Sequence, residues 1–404
     1  MVAALVGAAI FTVGCTSNKP FRTNYSPCTS ASALSGGADS QPVIETNQDF
    51  QVGFVEFDDQ GRFYNPKQLI TVRDMVAAEG GVGTSNNQAG IVLVVFAHGW
   101  KNNAAVDNTN VVMFRKTLQQ LSQIEKTQTK HRPRKVVGVY AGWRGLSATL
   151  EPFVELSFWD RKNTAHKVGG YGGMTELLMD MEVVQQKSNE SLVAGAPRTE
   201  LIIVGHSFGG AAVFSALGQI VAERTVQTIK QEEGERLKPL GDQVILLNPA
   251  FEAARFFDLQ QLARSIHSYP PDQRPVLSIF TSKGDWATHY VFPLGRFFST
   301  LFESYQNDDE KKADREAVGW FQPYVTHSLL YHGPTNGTAR TFTGTTQTTD
   351  LATVTQLSGQ TKSSLRRPPS RRVPLCMNHQ VVMANGIVLS KRNIKGWLKV
   401  TQEL

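Results

Sequence analysis

A serine bracketed by glycines in Gly205-His206-Ser207-Phe208-Gly209 sits directly behind the apolar run Leu-Ile-Ile-Val at 201–204. A serine hydroxyl is a poor nucleophile at neutral pH; it needs an adjacent base, an exposed position and donors for the oxyanion. The G-x-S-x-G spacing supplies the position. Its glycines permit close packing where Cβ atoms would collide, and the serine projects from a sharp strand-to-helix turn. Ser207 is the candidate nucleophile, and the backbone N–H of Phe208 is one oxyanion donor. The pentapeptide alone is weak, but an apolar strand precedes it and a small-residue helix (Gly210, Ala211, Ala212) follows.

The partners must lie elsewhere. The second oxyanion donor is expected from a loop after an earlier strand, and His98-Gly99-Trp100 closes such a strand, which nominates the N–H of Trp100. His98 reads as a structural histidine bonding loop carbonyls, because it precedes the serine in a fold whose order is serine, acid, histidine. The acid is expected just past a later strand. Asp285 stands there, on a Gly-containing turn behind residues 275–282, with Glu252 as runner-up.

These residues need a scaffold. Apolar runs at 91–99, 135–143, 201–205, 243–250 and 275–282 alternate with helical periodicity at 110–126, 164–186 and 209–224. Continuous β-branched runs suit strands buried on both faces, so the pattern predicts an α/β fold with a doubly wound, mostly parallel sheet and helices on both faces. A hairpin is expected at 50–64, a last strand at 373–384 and a closing helix at 390–404.

The blocks "FAHGWKNNA", "VYAGWRGLS", "SFWDRKNTA", "VGHSFGG", "LNPAFEA" and "SKGDWAT" occur in that order. Over roughly residues 50–330 they resemble a group of bacterial α/β-hydrolase-fold serine hydrolases of esterase or lipase type. The resemblance implies Ser207 as nucleophile and Asp285 as acid, and says little about substrate. It also implies a base in a His-Asn-x-Ile-like loop after the last strand. Here that stretch reads Ala384-Asn385-Gly386-Ile387. Three alternatives for the base stand open: His379 five residues upstream, His327 or His332, or no base at all. The last would leave a non-catalytic binding or envelope protein on a hydrolase scaffold.

The N-terminal run 2–15 is apolar or small apart from Thr12, too short for a membrane span but suited to a signal-peptide core. Its closing Thr-Val-Gly-Cys resembles a bacterial lipobox, with Cys15 as the lipidated residue. Cys28 and Cys376, the other cysteines, form no framework pattern. Residues 16–49, rich in Ser, Thr, Asn, Pro and Gly, read as a flexible tether, and the hydrolase domain as 50–404 with a Thr-rich mobile insertion at about 333–372. The net charge of +6 lies partly in Arg366–Arg372, a solvated basic segment without interleaved aromatics, so no nucleic-acid partner is expected. No metal-ligand spacing and no cofactor motif appears. The expectation is therefore a bacterial cell-envelope protein, lipid-anchored or exported, acting on a small-molecule or lipid ester; a third reading is a lipase working at a membrane.

Overall fold

The computed structural model describes residues 16–26, 28–29, 41–128, 132–147, 153–230, 236–266, 270, 273–332, 341–346, 355–357 and 376–382. Four short strands come first: β1 (Arg22–Asn24), β2 (Cys28–Thr29), β3 (Gln41–Pro42) and β4 (Ile44–Thr46). Then follow β5 (Phe50–Phe57), α1 (Pro66–Glu79), β6 (Ile91–Ala97), α2 (Thr109–Gln128), β7 (Lys135–Trp143), α3 (Phe153–Gly170), α4 (Gly173–Glu190), β8 (Glu200–His206) and α5 (Phe208–Ile229). The remainder comprises β9 (Gln243–Leu247), α6 (Phe257–Ser265), β10 (Leu277–Ser282), α7 (Phe292–Ser299), α8 (Asp308–Arg315), β11 (His327–His332), β12 (Thr341–Thr346), β13 (Thr355–Leu357) and β14 (Cys376–Val382).

Twelve strands form one sheet in the order β13-β12-β11-β14-β10-β9-β8-β6-β7-β5-β4-β2. From β11 through to β5 every neighbouring pair is parallel. The side-chain period of two divides each buried strand between two cores. In β6, Val92, Val94 and Phe96 face one layer with Phe114 and Leu118 of α2. Ile91, Leu93, Val95 and Ala97 face the other, with α1, α4 and α5. Gly138 lets α2 approach β7, since a Cβ there would lie 2.5 Å from Leu118 Cδ1. Parallel strands put all their carboxyl ends on one edge, and that edge carries Ser207.

Several expectations are corrected. The hairpin at 50–64 shrinks to an isolated bridge between Phe57 and Phe63, because β5 is held in the parallel sheet by β7. The helix expected at 164–186 is two helices, broken where Gly172 takes φ +100°. The Thr-rich insertion contributes β12 and β13, which extend the sheet antiparallel from β11; the rest of 333–372 and the helix at 390–404 lie outside the described residues. The last parallel strand, β14, inserts between β10 and β11.

The tether reading fails where the segment is described. Arg22 is fully buried, donating to Glu45 Oε1 at 2.7 Å and Ala104 O at 2.6 Å. The N–H groups of Phe21 and Arg22 donate to the Glu56 carboxylate, and Thr16 N donates to Ser147 O at 3.0 Å. A polar composition concealed a few side chains that are satisfied only inside the fold. Removing one member of a buried ion pair strands the other, at a cost of roughly 3–5 kcal/mol. Glu45 also accepts from Arg115, so Glu45→Ala is expected to lower the unfolding free energy by at least that much in urea titration.

Candidate active site

β8 ends at His206 and α5 begins at Phe208, leaving Ser207 alone to reverse the chain. It does so at φ +54°, ψ −118°, and its hydroxyl does not cap the helix that follows. A non-glycine residue at positive φ is strained and persists only where its surroundings enforce it. The surroundings are glycines. A Cβ on Gly209 would lie 2.1 Å from Ala97 O, one on Gly205 2.7 Å from Gly210 Cα, and one on Gly99 2.8 Å from Ser207 Cβ. The turn is tied to β9 as well, with Ser207 N donating to Leu247 O at 2.9 Å and Ala250 N to Ser207 O at 3.1 Å.

The Gly99 contact sets the His98–Trp100 loop against the serine, while Phe208, fully buried, opens the helix on the other side. Trp100 is braced edge-on by Phe158 at 5.2 Å. His98 is locked below the loop: its Nε2 accepts from Trp143 N–H at 3.0 Å, so its Nδ1–H donates to Gly99 O at 2.9 Å. The ring stacks on Trp143 at 5.4 Å. Burial pushes its pKa down to about 4, so the imidazole is a neutral loop brace.

Asp285 follows β10 in a turn closed by Asp285 N–H donating to Ser282 O at 3.0 Å. The Thr288 hydroxyl donates to Asp285 Oδ2, and Trp320 Nε1–H donates to Thr288 Oγ1 at 3.0 Å. Asn248, itself at φ +43°, accepts from Ser282 N–H at 2.8 Å through its side chain and joins the turn after β9 to the end of β10. Asn248, Thr288 and Trp320 are positioning residues that motif spacing did not reveal. A polar residue directly after an apolar strand was the only signal for Asn248, and Trp320 had none.

His206 Nδ1 is buried without a hydrogen-bond partner, and a Cβ on Gly99 would lie 3.2 Å from it. Burial lowers its pKa, against the opposing charge of Asp285. His379 lies on β14, the strand beside β10, opposite Phe280 on one side and His327 on the other, three residues before the strand end. The His327 Nδ1 lies 2.9 Å from Thr326 Oγ1, and burial lowers its pKa. His332 ends β11. The side chains of His379 and His332, and the whole of Cys15 and Ala384, lie outside the described residues.

Glu252 is committed elsewhere. Burial alone would raise its pKa, but Lys162 and Arg255 hold it down to about 2. Lys162 pairs with it directly, with Arg255 at 2.9 Å and Arg296 at 3.3 Å. Among the described residues no cluster of His, Cys, Asp or Glu could hold a metal ion.

The architecture is that of the α/β hydrolases. A family model described as an alpha/beta hydrolase of unknown function (DUF900) matches residues 185–291, from the end of α4 through the elbow to just past Asp285. Among solved structures, phospholipase PlaB from Legionella pneumophila in complex with thio-NAD aligns over 66% of this chain at 13% identity, with a TM-score of 0.24. The alignment covers 49% of that chain, so this protein spans about half the length of that phospholipase. No curated protein matches the chain.

Two outcomes follow from this geometry. Gly99→Ala presses a methyl group against Ser207, so a folded variant is expected to lose most reactivity of the serine, read by a fluorophosphonate probe beside wild type. His98 is neutral in the fold but takes a proton once unfolded, between its ordinary 6.5 and about 4. Its contribution to stability is complete above pH 6.5 and is lost as pH falls towards 4. Denaturation midpoints measured at stepped pH are expected to decline across that window, and the folded imidazole to titrate near 4 by NMR.

Proposed function

We propose that the protein is a serine hydrolase that cleaves carboxylic esters through an acyl-enzyme. The observation that carries this reading is the strained Ser207 turn, whose hydroxyl is left uncommitted to the helix while a glycine loop is packed against it. Strain of this kind, held at one half-buried polar residue, clusters at functional sites, which supports the reading.

In this reading Ser207 Oγ attacks the ester carbonyl carbon as His379 takes its proton. Asp285, oriented by Thr288, fixes the imidazole tautomer and offsets the charge of the imidazolium. The N–H groups of Phe208 and Trp100 bind the oxyanion. Collapse breaks the C–O bond, the imidazolium returns the proton to the departing alcohol, and water repeats the sequence to free the acid. In favour of His379 stands its place on β14, the strand beside the one that leads to Asp285, level with Phe280. Lipidation at Cys15 and residence at the cell envelope belong to the same proposal.

A fluorophosphonate probe is expected to label the wild-type protein and spare Ser207→Ala. Ser207→Ala should retain only the oxyanion-hole and binding contributions, roughly 10³–10⁴-fold over water. His379→Ala is expected to fall to a similar level, with His327→Ala close to wild type. Absence of labelling in the folded wild type would exclude the hydrolase reading. Residual activity indifferent to both histidine variants would instead identify a binding scaffold with alanine at the base position.

A further inference from the structure

Large apolar side chains are normally hidden, and a contiguous exposed group of them marks an interaction surface. Of the exposed large apolar residues, seven fall between Trp286 and Phe302, each between 45% and 101% exposed. They are not scattered. Trp286, Tyr290, Leu294, Phe298 and Phe302 recur every four residues, with Phe297 and Leu301 filling the same stripe. The segment is a single turn of π-helix, Ala287–Val291, running into α7.

Its other side is fastened to the body. Thr288, Phe292 and Thr300 are buried, and Gly295 lies against the indole of Trp159. Arg296 turns inward to Asp314 and Glu252. A helix apolar on both sides is ordinarily a core helix. This one is core on one face and bare on the other, beginning one residue after Asp285.

The point where the N-terminal segment meets the body gives the occupant. Thr16 N–H donates to Ser147 O at 3.0 Å, and Arg144 Nη1 donates to Thr16 O at 2.8 Å. Arg144 and Ser147 follow the carboxyl end of β7, which is parallel to β6 and β8. Thr16, the residue that follows the apolar stretch 2–15 in sequence, is therefore held at the same sheet edge as Ser207, Asp285 and the bare stripe. The seven side chains are Trp, Tyr, Phe and Leu, with the Arg315 guanidinium over the Phe297 ring at 5.0 Å, and aromatics beside a cation suit a lipid headgroup boundary. Among the described residues no helix is long and apolar enough to cross a membrane.

We propose that residues 286–302 seat this edge of the protein on a lipid surface, so that the ester it cleaves is an acyl ester drawn from that surface. The substrate class rests on the esterase reading; the docking surface does not. The full-length chain is mixed with phosphatidylcholine vesicles carrying brominated acyl chains. Trp286 fluorescence is expected to be quenched, and Trp286→Phe to remove the quenched signal. The double variant Phe298→Asp, Phe302→Asp changes only exposed positions and should abolish the quenching. It should also slow hydrolysis of a vesicle-borne ester by roughly tenfold or more, since two phenyl groups no longer enter the lipid. Hydrolysis of a dissolved short-chain ester should stay at wild-type rate.

Unquenched Trp286 overturns the proposal. So does a dimer in sedimentation that the double variant dissociates, because the stripe then faces a second copy. Equal loss on dissolved and vesicle-borne ester overturns it too, the substitutions having damaged the site rather than its seating. Quenching without any fluorophosphonate labelling upholds the surface and removes the esterase reading alone.

Discussion

A backbone turn that L-residues avoid sits at the centre of this protein, and much of the carboxyl edge is arranged to hold it. Positive φ at Ser207 is tolerable because β6, its following loop and α5 all approach without side chains at the points of contact. The same closeness lets the turn bond to Leu247 and Ala250. From β9 the restraint passes through Asn248 to β10, and from there to the aspartate turn. Ser207 and Asp285 are thereby mounted behind three adjacent parallel strands of one sheet.

Behind this edge charge is used as a fastener. Glu252 gathers Lys162 from α3, Arg255 from the turn before α6 and Arg296 from α7 around one buried carboxylate. Asp59, after β5, does the same with Arg144 and Arg161; burial opposes its ionisation, yet the two guanidinium groups hold it below the usual carboxylate range. Both clusters draw on α3, through Lys162 in one and Arg161 in the other, and tie it to loops after parallel strands. Such groups are costly to desolvate and are tolerated because they are mutually satisfied. His166 stays neutral beside Glu252, burial and the neighbouring Arg255 lowering its pKa to about 3.

The chain's alternating order was legible because parallel strands covered on both faces must be continuously apolar. Lys135–Trp143 falls where its β-branched run predicts. The elbow was legible because steric need fixes glycine at set offsets from Ser207. What stayed hidden depends on long-range partners. Arg22 looks like any polar-segment arginine until Glu45 and Ala104 O meet it. The Thr-rich strands carry no alternation of apolar residues and take their place by pairing, β12 with β11 and β13 with β12. Trp320 reaches Asp285 through Thr288 and, by stacking, through His289, relations that no spacing encodes. The face left bare by residues 286–302 was equally invisible, since a helical stripe does not declare which side the body will cover.

The docked N-terminal segment has a bearing on the order of folding. Arg22 Nε donates to Ala104 O across 82 residues, and Thr16 Oγ1 donates to Leu146 O across 130. Contacts that close such long loops form late, after local structure has collapsed. Arg22 meets Glu45, Pro42 O and Glu56 within 34 residues, whereas its bond to Ala104 O waits for the loop after β6 and the bond from Thr16 to Leu146 O for the loop after β7. The segment is thus pinned twice, by an ion pair among its own early strands and by two carbonyls from the loops after β6 and β7.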